Sequence, residues 1–155
     1  MAKIVVGIDP DVQKSGVSIF DIENREVSVY AYTFAECIAR LNELKAEYGE
    51  VEVFVEGGWL NEKSNFHKVF GRAGERVAKN VGANHQVGKL LIEMCEYNKI
   101  KVEAIKPLKK HWKGKDGKIT NGELQYILNF ENWKMKTKEM NQDKRDSVLI
   151  GLSRI

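Results

Sequence analysis

Lys3–Tyr32 reads KIVVGIDPDVQKSGVSIFDIENREVSVYAY, and this stretch decides the fold. It holds three β-branched and aromatic runs, Lys3–Asp9, Ser15–Asp21 and Arg25–Tyr32, separated by the turn-rich Pro10–Lys14 and Ile22–Asn24. Connections this short force antiparallel neighbours, because a parallel return needs a crossover of about a dozen residues. The chain therefore opens with a three-strand meander.

Thr33 and Glu36 form a T-x-x-E capping box, which satisfies free backbone donors at a helix start. Phe34, Cys37, Ile38, Leu41 and Leu44 follow at helical spacing, with Gly49 as the stop. Val51–Glu56 (VEVFVE) is the next strand, and a strand–helix–strand passage of this kind lays it parallel to an earlier one, here Lys3–Asp9. Residues 57–66 (GGWLNEKSNF) read as a loop, Phe66–Lys79 and Val81–Asn98 as two helices, and Lys99–Ile105 as a fifth strand. The second of those helices carries Val87, Leu90, Leu91, Met94 and Cys95 on one face. Pro107–Lys118 is basic and poorly periodic. Thr120-x-x-Glu123 is a second capping box ahead of a short helix, Leu124–Phe130, and a last helix runs from about Asn141 to the end. The expected architecture is α/β: a five-stranded mixed sheet, made of the antiparallel meander plus two parallel strands, flanked by helices.

A length of 155 residues suits one domain, 1–155, with one core. With 43% hydrophobic and 30% charged residues, the composition is globular, neither disordered nor fibrous. No apolar run approaches the roughly 18 residues of a membrane span, and residues 1–10 carry no signal-peptide core, so the expectation is a cytoplasmic protein without membrane contact. Cys37 and Cys95 lie far apart in helical segments and read as buried thiols.

The net charge of +3 is unevenly spread. Residues 1–98 carry 11 basic and 15 acidic side chains, residues 99–118 carry 8 and 2, and residues 119–155 carry 6 and 5. The cationic block suits an anionic partner such as a nucleic-acid backbone; a solvated lysine-rich loop is the plainer alternative.

Asp9 ends the first strand and Glu56 the fourth. If those strands are parallel neighbours, both carboxylates reach one sheet end, where α/β sheets place their sites. Asp before Pro is also a common turn initiator, and Glu56 alone is an ordinary strand-end residue. Asp143 and Asp146, spaced i, i+3 at the start of the last helix, share a face. Acids also favour the first helical turn for its dipole, with Asn141 as cap. Val148, Leu149 and Leu152 are expected to pack this helix on the sheet, which lets its acidic turn face Asp9 and Glu56.

Four hard oxygen donors without a histidine or cysteine cluster favour Mg²⁺ or Mn²⁺ over zinc. Two such ions, roughly 3.5–4 Å apart, serve phosphodiester hydrolysis, which reads as a nuclease. Lys106, Lys109, Lys110, Lys113, Lys115 and Lys118 then have a role in holding phosphates.

Gly7-Ile8-Asp9-Pro10 with Gly16, Val55-Glu56 at a strand end, and Asp143-x-x-Asp146 opening the last helix together resemble the RuvC-type Holliday junction resolvases of the ribonuclease H-like superfamily. The order of elements and the length agree over nearly the whole chain. The resemblance implies a metal-dependent endonuclease of recombination and repair that cuts branched DNA symmetrically as a homodimer. By motif position Asp9, Glu56, Asp143 and Asp146 are its catalytic, metal-binding acids. The family's junction-facing aromatic, three residues after the second acid, corresponds to Trp59. Base stacking and packing in the core or dimer interface are both open for this tryptophan. The helix Val81–Asn98 matches the part of the family that packs between subunits, and the basic stretch matches its DNA-binding segment, with Lys109, Lys110 and Lys118 as the foremost contacts.

The chain departs from the pattern at Asp11, where the family has glycine, and at Asn121, where a lysine often starts the penultimate helix. The 61–80 region is also unusually basic, with Lys63, Lys68, Arg72, Arg76 and Lys79. These departures fit a phage or mobile-element relative. Length rejects the two-domain sugar-kinase and actin-like fold. The alternatives that remain are a nuclease of flaps, forks or RNA–DNA hybrids, and an inactive DNA-binding protein of the same fold.

Overall fold

A computed structural model of the chain describes residues 2–61 and 71–155. Three strands come first, β1 (Ile4–Asp9), β2 (Ser15–Asp21) and β3 (Glu26–Tyr32), paired antiparallel in sequence order. Helix α1 (Phe34–Tyr48) starts at Thr33, whose side chain accepts from the Glu36 N–H while Glu36 reaches back to the Thr33 N–H. It ends at Gly49, which takes a φ of 76°, a left-handed backbone that glycine adopts without a Cβ clash. Strand β4 (Val51–Glu56) then runs parallel to β1, in the register Ile4↔Val51 to Ile8↔Val55.

Helix α2 is described from Gly71 to Tyr97, and β5 (Lys101–Ile105) lies parallel to β4. Helix α3 spans Asn121–Phe130 behind the Thr120–Glu123 capping box. A two-residue strand, β6 (Lys134–Met135), and helix α4 (Gln142–Leu152) complete the chain. The sheet order is β5-β4-β1-β2-β3-β6.

Four expectations need correction, the last of them at α4. The sheet has six strands among the described residues, because Lys134–Met135 adds to β3 in parallel. A pair of residues shows no alternation to read; β6 is held from outside, by Lys134 N–H to the Arg25 carbonyl, Lys136 N–H to the Val27 carbonyl, and Thr137, whose hydroxyl bonds the Val29 N–H and carbonyl. The expected break between helices at Asn80–Val81 is absent, since α2 is continuous through Asn80, Val81 and Gly82. Glycine inside a helix costs about 1 kcal/mol relative to alanine, too little by itself to end a helix of this length. The start of the expected Phe66–Lys79 helix, together with Lys63 and Lys68, lies outside the described residues. Helix α3 begins one turn earlier than Leu124, because the capping-box residues themselves form its first turn.

Alternation along the strands builds a core on each face of the sheet. On one face, Ile4, Val6 and Ile8 of β1 and Val53 and Val55 of β4 pack under Cys37, Leu41 and Leu44 of α1 and Leu91 and Cys95 of α2. On the other, Val5, Phe20, Val27 and Phe54 pack under α3, Trp133 and α4. Both cysteines are buried and free, as expected.

The face of α4 turned to the sheet differs from the expected one. Ser147, Val148, Ile150 and Gly151 are buried, whereas Leu149 and Leu152 are only partly so. Small residues win because the helix lies almost on the strand backbones. A Cβ on Gly7 would collide with the Ser147 carbonyl and stand 2.6 Å from the Gly151 N, one on Gly16 would collide with the Asp143 carbonyl, and one on Gly151 would enter the Phe20 ring. Ser18 bridges the gap, its hydroxyl 2.7 Å from the Ser147 carbonyl and 3.3 Å from that of Gly7.

This seam is testable. Gly7→Ala is expected to lose at least about 1–3 kcal/mol of stability by chemical denaturation, since backbone blocks the new methyl and cannot rotate away. Gly122→Ala, in α3 with nothing within 4 Å of a new Cβ, is the matched control and is expected to be neutral or stabilising. Equal midpoints for the two variants would show that α4 does not sit this close.

Candidate active site

The period-2 alternation of β1 sends Val5, Gly7 and Asp9 to the face that α4 covers, and that of β4 sends Phe54 and Glu56 to the same face. Since Ile8 pairs with Val55, Asp9 and Glu56 are the next residues of adjacent parallel strands. Helix α4 crosses this end with its N-terminus. Its cap, Asn141, accepts the Lys144 N–H at 2.9 Å, and Asp143 and Asp146 follow in the next turn. The four acids expected from the sequence therefore meet at one end of the sheet.

Their electrostatics show the crowding. The Asp9 carboxyl is held well above its ordinary 3.8, first by burial and then by Glu56, which repels its charge and hydrogen-bonds its protonated form; Asp143 and Asp146 add to the effect. Asp143 is raised as well, by partial desolvation and by the charges of Asp11 and Asp146, with Lys118 opposing. Among the described residues none of the four acids is in an ion pair.

Asp11, the departure after Asp-Pro, builds the loop from its own side chain. Its carboxylate accepts the N–H groups of Gln13 (2.9 Å) and Lys14 (3.3 Å), and its own N–H donates to Ser15 Oγ at 3.1 Å. Asn84 of α2 fixes the same loop by accepting the Val12 N–H at 2.9 Å.

A cleft beside the acids is lined by Glu56 and Asp146 together with Lys109, Lys110, Trp112 and Lys118. The basic stretch is an ordered loop. Trp112 N–H donates to the Gly117 carbonyl and Gly114 N–H to that of Lys118, both at 2.9 Å, while the Lys113 N–H donates to the Glu123 carboxylate of the α3 capping box. Gly117 has a φ of 74° and lies where a Cβ would stand 2.6 Å from the Lys110 carbonyl oxygen, so only glycine suits it. Of the six lysines named from the sequence, Lys109, Lys110 and Lys118 line the cleft. Lys113 and Lys115 are exposed on the loop without lining it, and Lys106 borders a separate depression with Leu60 and Arg154.

Trp59 sits in a single 3₁₀ turn, Gly58–Leu60, just after Glu56. Its indole packs against α2, with the His85 ring 6.0 Å away edge-on, Lys89 Nζ 5.7 Å from the ring centre, and Gly88 so close that a Cβ there would be 2.7 Å from the ring. It is half-buried and does not line the cleft with Glu56 and Asp146.

Sequence reasoning missed the hydrogen-bond partners of the acids. Gln142 donates to Asp146 at 2.8 Å, and Arg145 donates to Gln142 at 2.9 Å. The i, i+4 spacing of Gln142 and Asp146 was the available signal.

The donor set suits a hard divalent cation: carboxylate oxygens only, an Asp9 carboxyl raised by burial and by neighbouring acids, and no sulfur or imidazole among the four. Among the described residues no three His, Cys, Asp or Glu side chains stand together as a ready-made cation site.

The sequence matches no protein-family model and no curated protein. Among solved structures, the fold is similar to that of Thermus thermophilus RuvC in complex with a Holliday junction substrate, at a TM-score of 0.57 and 16% identity over 97% of this chain and 92% of that one. A second Thermus thermophilus RuvC structure matches at a TM-score of 0.52 and 17% identity, with the same coverage. The chain has the ribonuclease H-like fold of RuvC.

The crowding predicts a pH effect. A group whose folded-state value is raised contributes stability that is fully present below its unfolded value, here 3.8, and lost as pH rises through the folded value. Asp9→Asn is therefore expected to raise the melting temperature in chelator near about pH 7, by a few degrees where about 1 kcal/mol is regained, and to flatten the decline in stability from acid to neutral pH. A lower melting temperature for Asp9→Asn at that pH would contradict the arrangement.

Proposed function

We propose that this chain is a divalent-cation-dependent endonuclease that resolves four-way DNA junctions by phosphodiester hydrolysis. The observation that carries the reading is the meeting of Asp9, Glu56, Asp143 and Asp146 at one sheet end, where burial and the neighbouring acids hold the Asp9 carboxyl well above its ordinary range. Gathering carboxylates in a partly buried corner costs stability unless a bound cation offsets their charge, so such a cluster points to a functional site. An inactive DNA-binding protein has no use for that cost.

Asp9, Glu56, Asp143 and Asp146 are the residues that would hold Mg²⁺ or Mn²⁺, as two ions in this reading. Such ions supply water activation and stabilise the leaving oxygen of an in-line displacement. The protein's own part is positional. Lys109, Lys110 and Lys118, which line the same cleft as Glu56 and Asp146, draw the phosphodiester into it and offset its charge beside the acids. Gly7 and Gly16 let α4 come close enough for its acids to reach those of the strands. The likeness of the whole fold to RuvC, whose structure was determined with a Holliday junction substrate, supports the choice of branched DNA; the homodimer that cuts two strands is carried over from the motif resemblance alone.

Glu56→Gln and Asp146→Asn are expected to lower Mg²⁺-dependent cutting of a synthetic four-way junction by at least about 100-fold while retaining most of the binding. Lys118→Ala is expected to weaken binding and to reduce its salt dependence by about one phosphate contact. Four-way, flap, duplex and RNA–DNA hybrid substrates compared at one salt concentration decide the substrate. Products from Glu56→Gln at the wild-type rate would refute the site, and equal cutting of all four substrates would refute junction specificity.

A further inference from the structure

The start of α4 carries, besides Asp143 and Asp146, a chain of hydrogen bonds that ends on Asp146. Gln142 Nε2 donates to Asp146 Oδ1 at 2.8 Å and to the Ile119 carbonyl at 3.3 Å, and its Oε1 accepts from Arg145 Nη2 at 2.9 Å. Arg145 donates Nε to the same Ile119 carbonyl at 3.1 Å and Nη1 to Asn121 Oδ1 at 3.0 Å. Arg145 and Asn121 thus brace the amide from the side opposite Asp146.

The chemistry of the groups settles how the amide faces. A guanidinium only donates and an ionised carboxylate only accepts, so the Gln142 oxygen must face Arg145 and its NH₂ must face Asp146. The consequence lies in what reaches the acid. Among the described residues no ion pair joins Asp146, and Arg145 spends its donors on Gln142, Ile119 and Asn121. A direct Arg–carboxylate pair would cancel the charge that a cation needs. A neutral amide fixes the carboxylate's orientation and leaves that charge in place.

The same bonds reach the basic loop. Ile119 follows Lys118 directly and is buried, and its carbonyl accepts from both Gln142 and Arg145. Movement of the loop and rotation of the Asp146 carboxylate are therefore tied to one helix turn.

We propose that Gln142, locked by Arg145, is a positioning residue that holds the Asp146 carboxylate for a divalent cation and keeps the wall bearing Lys109, Lys110 and Lys118 in step with it. The proposal rests on the cation-site reading above and assigns a role to two residues that do not themselves touch the reacting phosphate.

Thermal unfolding of the full chain, titrated with MnCl₂ alone and without DNA, tests it. Gln142→Ala is expected to melt near wild type in chelator and to raise the Mn²⁺ concentration at the midpoint of the thermal shift by about 10–100-fold. Arg145→Ala is expected to raise it by less, and in the Gln142→Ala background to change it by less than about twofold, since its effect on Asp146 passes through the amide. Arg145→Ala reads the same bonds from their far end, so it decides the matter if Gln142→Ala does not fold. A wild-type midpoint in both variants would overturn the positioning role and leave the cation site standing. Fully additive effects would overturn the route through Gln142. A wild-type protein with no Mn²⁺-dependent shift would overturn the cation reading and this proposal together.

Discussion

The near-contact of α4 with the backbones of β1 and β2 is the constraint from which the candidate site follows. Three glycines and two serines make it possible: Gly7, Gly16 and Gly151 supply the space, and the Ser18 hydroxyl ties the sheet to the carbonyl of Ser147. A helix held off by ordinary side chains would stand about 10 Å from the sheet, out of reach for short Asp side chains. Here the Asp143 carbonyl lies where a Cβ of Gly16 would be, so the helix start and the end of β1 share one corner. The usual large apolar contact is replaced at this seam by backbone proximity and a buried hydroxyl, while Val148 and Ile150 fill the flanks.

That closeness carries an electrostatic penalty which shapes everything around it. Carboxylates from three elements converge, and the Asp9 carboxyl is raised well above its ordinary range by burial first and then by the charges of Glu56, Asp143 and Asp146. The surroundings counter it without neutralising it. Lys118 acts on Asp143 from the cleft wall, and a neutral amide, rather than a guanidinium, meets Asp146. The basic loop is itself organised by acids used structurally, since Glu123 both caps α3 and accepts the Lys113 N–H. Acids of two kinds thus coexist within a short distance along the chain: those whose hydrogen-bonding capacity is used to end a helix, and those left available to a cation.

Much of this was legible in the residues because it is local. Thr33 with Glu36, Thr120 with Glu123, and Asn141 mark helix starts through bonds spanning three residues, and all three formed as written. The meander follows from short connections, and the parallel pairing of β1 with β4 from the handedness of a crossover. What failed was non-local or too brief. β6 exists because Arg25, Val27 and Val29 offer it an edge, and two residues hold no period of their own. Helix α2 runs on through Asn80–Gly82 although Asn80 and Gly82 are exposed; its packing on α1 and the sheet comes later, from Val87, Leu91, Ile92 and Cys95, which the local sequence at 80–82 does not announce.

The same division holds at the site. Residue types and spacing alone determined which four acids were candidates, that two of them close neighbouring parallel strands, and that the other two share a helix face. They also marked the lysine-rich stretch, because charge and periodicity are properties of the chain itself. Which lysines face the acids, how Trp59 is seated on α2, and the Gln142–Arg145 brace were decided only in the folded molecule. Those depend on the separation of elements far apart in sequence, and that separation is set at Gly7, Gly16 and Gly151 by the absence of a side chain, a feature whose meaning appears only when the opposing backbone is in place.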